Sequence, residues 1–89
     1  MKAFITVIGN DKVGIIAKVS TLLADMNINI EDISQTVLQG KFTMIMAVDT
    51  ALCELPFEKI AQELTTKGEE IGTEIVIRSG EIFDAMHRI

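Results

Sequence analysis

The stretch V-I-G-N-D-K-V-G-I-I-A-K-V-S-T-L-L-A-D-M-N-I-N-I, residues 7–30, decides how the rest of the chain is read. It passes from a strand end through a polar turn into a helix and out into a second strand. Gly9 and Gly14 bracket the turn, and glycine admits close approach of neighbouring backbone because it has no Cβ. Asn10, Asp11 and Lys12 lie between them, where the helix begins. The first N–H groups of a helix lack intrahelical partners and carry partial positive charge, so this corner suits a small anionic group. Asn29 opens the next strand and is expected to return toward the same corner. The pattern implies a small-ligand pocket and leaves the ligand open.

Working outward, residues 3–8 read as a short strand with apolar residues on both faces. Residues 13–26 read as a helix whose stripe is Ile15, Ile16, Val19, Leu22, Leu23 and Met26, opposite Lys18, Thr21 and Asp25. Asp11 is the natural N-cap and Asn27 a left-handed C-cap. In residues 28–38 the apolar phase slips: Ile28 and Ile30 share one parity, Ile33 and Val37 the other, which a bulge at Glu31-Asp32 reconciles. Gln39-Gly40 signals a hairpin, and residues 41–48 return as a third strand, again apolar on both faces. Pro56 suits the first turn of a second helix carrying Phe57, Ile60, Ala61, Leu64 and Ile71, with Gly72 as its stop. Residues 73–79 form a fourth strand. Ile82, Phe83, Met86 and Ile89 suggest a short terminal helix.

The order β-α-β-β-α-β places the chain in the α+β class: one ferredoxin-like domain over residues 1–89, with a four-stranded antiparallel sheet, two helices on one face and a short C-terminal helix. At 89 residues such a domain buries only about 60–65% of its unfolded surface. Strands one and three have apolar residues to spare on the face that the two helices leave uncovered. That face must meet the C-terminal helix or a second copy of the chain; an open apolar face is unusual on a monomer, so a homodimer or higher oligomer is expected.

Composition narrows the function. There is no Trp or Tyr, so the core must be aliphatic and methionine. Thirteen acidic against eight basic residues give a net charge of −5, which argues against nucleic acid and against an anionic membrane surface. Cys53 is alone, which excludes an internal disulfide or a cysteine zinc site. No apolar run approaches the roughly 20 residues of a membrane span. Met1-Lys2 leads straight into a strand-like run without a signal pattern, so the expected location is cytoplasmic.

The catalytic constellations are missing as well. Glu31 and Asp32 point to opposite faces of a regular strand and make no ready acid–base pair. His87, with Asp84 one helical turn earlier, reads as a surface ion pair, and no serine or cysteine is held by a histidine. Cys53 has Glu54 beside it and no basic neighbour to activate it. Strand three offers only Phe42 for base stacking. We expect no enzyme, no catalytic residue, no metal set and no cofactor.

The run G-N-D-K-V-G-I-I-A followed by N-I-N-I-E-D-I resembles the ACT domain, a small regulatory ligand-binding module. The likeness extends along the chain and is greatest to the short stand-alone ACT-domain proteins, through I-E-D-I-S-Q-T-V-L and I-F-D-A-M. The acidic N-I-E-D stretch is also similar to the ACT halves of the glycine-cleavage transcriptional repressor. The resemblance implies pairing of two copies with an amino acid bound at their interface. It implies ligand contacts from Asp11 and Asn29, with Gly14 permitting close backbone approach; Asn10, which could equally serve the turn, and Ile30 complete the candidate ligand-binding set. Val13 stands where the family usually has proline, which leaves the loop less rigid, and Gly9 where some ligand-binding members carry a polar side chain. The resemblance also allows a second role, a ligand-free module acting on another regulatory protein or enzyme, such as a transcriptional regulator.

Overall fold

The computed structural model describes residues 1–81. Its elements are β1 (Lys2–Asn10), α1 (Ile15–Asp25), β2 (Asn29–Leu38), β3 (Lys41–Asp49), α2 (Phe57–Ile71) and β4 (Thr73–Ser79). The strands form one antiparallel sheet in the order β2-β3-β1-β4, with both helices packed on one face. This is the expected ferredoxin-like arrangement. The terminal helix expected from Ile82, Phe83, Met86 and Ile89, and the Asp84–His87 pair, lie outside the described residues.

The core follows from the strand alternation. Ala3, Ile5 and Val7 of β1 and Phe42, Met44, Met46 and Val48 of β3 all face the helices and are buried. They meet Ile15, Val19 and Leu23 of α1 and Ile60 and Leu64 of α2. Apart from Phe42, every residue of that cluster is aliphatic or methionine, as a chain without Trp or Tyr requires. On the far face Phe4, Thr6, Ile45, Ala47 and Val76 are half-buried and Ile8 is exposed.

The bulge falls where the phase slip demands it: β2 shifts register against β3 between Ile30 and Asp32, which leaves Glu31 unpaired in the ladder. Ile30, opposite Val48, then shares the helix-side face with Ile33 and Val37, opposite Met46 and Phe42. Gln39 and Gly40, at φ 52 and 76, make the two-residue hairpin between β2 and β3. Asn27 (φ 59) and Gly72 (φ 74) take the left-handed positions that end the two helices.

The start of α1 differs from the expectation. The helix begins at Ile15 rather than at residue 13, and its cap position is Gly14, at φ 89, with no side chain bonded to the exposed N–H groups. Asp11 is therefore not the cap. Asp11 lies three residues before the cap position, which has a left-handed φ that glycine takes without steric cost.

The helix layer reaches β2 at Ile30 but leaves the hairpin half of the strand uncovered. Ile33 and Val37 point to the same side as buried Met46 and Phe42, yet are 42% and 52% exposed. The most open apolar surface of the sheet is therefore an edge strand.

Candidate functional site

Asn10 ends β1 opposite Lys41, and its Oδ1 accepts a hydrogen bond from Lys41 Nζ at 2.9 Å. That leaves the Asn10 amide N–H groups as donors. The next residue extends the ladder, Asp11 N–H donating to Gly40 O at 2.9 Å, so the loop is stitched to the β2–β3 turn. The Asp11 side chain is exposed, and Val13 is wholly exposed. Beyond Gly14, the first turn of α1 has neither a capping side chain nor an acidic residue. Its N–H groups are thus open donors for an anion, and the exposed Asp11 carboxylate, three residues upstream of the cap, is an acceptor for a cation.

Gly9 is glycine because of what lies beside it. A Cβ there would stand 2.9 Å from Thr73 Cγ2 and 3.1 Å from Gly72 O. The backbone joining α2 to β4 occupies the space that a polar side chain at this position would need. Thr73 Oγ1, in the same corner, is a buried hydroxyl with no partner among the described residues.

Asn29 does not return to this corner. Through β3 it is in register with Asp49 and then with Lys2, whereas Asn10 is in register with Lys41 and Leu38. Eight strand residues, roughly 25 Å, separate the two ends of the sheet. The sequence-predicted residues therefore fall into two groups within one chain: Asn10, Asp11 and Gly14 at one end, Asn29 and Ile30 at the other. By register Ile30 faces the helix side and Asn29 the far side.

A charge cluster that sequence reasoning missed surrounds the second group. Lys2 Nζ pairs with Glu31 across β3 and with Asp49 at 3.3 Å. Asp49 also accepts from Ala51 N–H at 3.0 Å and from the Met1 ammonium at 3.3 Å. The Ala51 N–H and then Lys2 hold the Asp49 carboxyl below its ordinary range, while Glu31 chiefly, and Asp49, raise Lys2. Strand parity alone could not reveal this cluster, because it depends on which residue of β1 stands beside the end of β3. A groove of about 260 Å³ between the helices, lined by Lys18, Thr21, Asp25 and Lys67 among others, has no residue of either group in its lining.

Among the described residues no three His, Cys, Asp or Glu side chains gather where they could hold a metal ion. No helix among them is long and apolar enough to cross a membrane.

A family model described as the ACT domain matches residues 2–78. A UPF0237 protein of Clostridium acetobutylicum is 54% identical over 89 residues, the whole of both chains. Among solved structures, an ACT domain protein from Streptococcus pneumoniae is similar at 44% identity and a TM-score of 0.84, covering 98% of each chain. The regulatory subunit of aspartate kinase from Thermus thermophilus, in a ligand-free form, is 31% identical with a TM-score of 0.68, covering 86% of this chain and 50% of that one.

Proposed function

This chain belongs to the ACT domain family, and from that premise we propose that it is a regulatory module that pairs with a second copy and holds a small metabolite, an amino acid, between the two. Asn10, Asp11 and Gly14 of one copy and Asn29 and Ile30 of the other form the site. The observation that carries this reading is the separation of the two groups to opposite ends of an edge-exposed sheet. A twofold axis beside β2, with the two β2 strands antiparallel, brings the Asn29 end of one copy to the hairpin end of the other, where Asn10 and Asp11 lie. The same arrangement covers Ile33 and Val37.

The chemistry of the corner suits a zwitterion. The Asp11 carboxylate takes the ammonium, while the Asn10 amide and the unbonded N–H groups of α1 take the carboxylate. The likeness to a regulatory subunit supports a role in control rather than in a reaction, and we assign no reaction. Binding biases an equilibrium between two states of the dimer surface, and another protein reads the difference.

A thermal-shift screen against the common amino acids at millimolar concentration tests the reading. Ligand at 100 times its dissociation constant adds about 2.7 kcal/mol, a large fraction of so small a domain's stability. The expected result is a shift with one amino acid or a small set of related ones, lost in Asn29→Ala. A flat screen sinks the ligand and favours the alternative, a module that acts through protein contacts alone.

A further inference from the structure

Lys12 lies in the middle of the candidate loop, and the proposed chemistry leaves it unused. Its ammonium lies against the end of α2. A Cβ built on Gly72 would stand 2.8 Å from Lys12 Nζ and 3.9 Å from Cε, so the side chain lies against the backbone that closes α2. A helix C-terminus carries partial negative charge and is stabilised by a nearby cation. The last turn of α2 has no basic residue of its own and instead carries Glu69 and Glu70, charges of the wrong sign for that end. Gly72, at φ 74, closes the helix by donating its N–H to Gly68 O.

We infer that Lys12 is a positioning residue: it supplies the missing positive charge to the end of α2 and thereby ties the Asn10–Gly14 loop to that helix. Two features make the tie specific. Gly9 and Gly72 have no side chain, so the end of β1 that leads into the loop lies directly on the α2–β4 corner. The loop also lacks the rigidity that a proline at position 13 would give, so an anchor from its own middle residue sets where Asp11 stands. The consequence for Asp11 rests on the ligand reading above; the contact with α2 does not.

Amide hydrogen exchange on the full chain without ligand provides the test, read at Gly72, with Ile60 and Leu64 as internal controls in the middle of α2. Lys12→Gln should speed exchange at Gly72 about two- to fivefold, the factor expected from one cation at a helix end, and leave Ile60 and Leu64 unchanged. Lys12→Arg should restore the slow rate, and Lys59→Gln, which removes a lysine at the other end of α2, should not affect it. The wild-type difference should shrink in about 1 M salt, where the screening length is about 3 Å. An unchanged Gly72 rate in Lys12→Gln, or an arginine variant that behaves like glutamine, overturns the proposal. Running the amino-acid melting panel on the wild type beside the exchange measurement separates the two readings. A flat panel on the wild type with the exchange effect intact removes the amino-acid site and leaves the anchor standing. An unchanged exchange rate removes the anchor whatever the panel gives.

Discussion

Gly68 shows how much one absent methyl group decides. It is buried in the last turns of α2, and a Cβ there would stand 2.6 Å from Thr73 O and 3.3 Å from Ile75 Cγ1. Alanine favours a helix by about 1 kcal/mol over glycine, but a carbonyl held in a ladder cannot retreat, and overpacking costs about 1–3 kcal/mol. Gly68→Ala is therefore expected to destabilise on balance, with a lower urea midpoint; a midpoint at or above wild type would mean that α2 slides off β4 freely. Asp49 gives a prediction of a different kind. Its folded pKa lies below the unfolded value, so its contribution is present above the unfolded pKa and is lost as pH falls through the folded one. The melting temperatures of wild type and Asp49→Asn should differ most near neutral pH and converge as acid titrates the lowered Asp49 carboxyl. A gap that stays constant with pH would assign the effect to packing rather than charge.

At the scale of elements, β2 is the strand to perturb. Ile33 and Val37 face the helix side without being covered, so Ile33→Lys with Val37→Lys removes little from the core of one chain. In sedimentation equilibrium the wild type should run as a dimer and the double variant as a monomer that still folds. A wild type that is monomeric at micromolar concentration would refute the pairing. The bulge in this strand is legible in the sequence alone, because strand periodicity is local and Ile30 and Ile33 break it visibly. The hairpin at Gln39-Gly40 is legible for the same reason. The beginning of α1 is not: Asp11 has the chemistry of a cap, but Gly14 takes the cap through a backbone angle that composition does not announce. The position of Asn29 relative to Asp11 is not legible either, since it depends on the β1–β3 register between segments far apart in the chain. The sequence nominates candidate residues; it does not show how the sheet groups them.

For the whole molecule, the sheet is the spacer that matters. It holds Asn10 and Asp11 at one end and Asn29 and Ile30 at the other, too far apart for a single small molecule to touch both. A sensor assembled from such halves is also a gauge of its own abundance. The concentration of occupied pairs then rises with the square of the free-chain concentration as well as with the metabolite, so dilute protein would be unresponsive at metabolite levels that saturate concentrated protein. Melting shifts measured over a hundredfold range of protein concentration should grow with concentration, and calorimetry should find two equivalents bound per pair and none per monomer. In a cell, the dose of the gene would set the threshold of the signal.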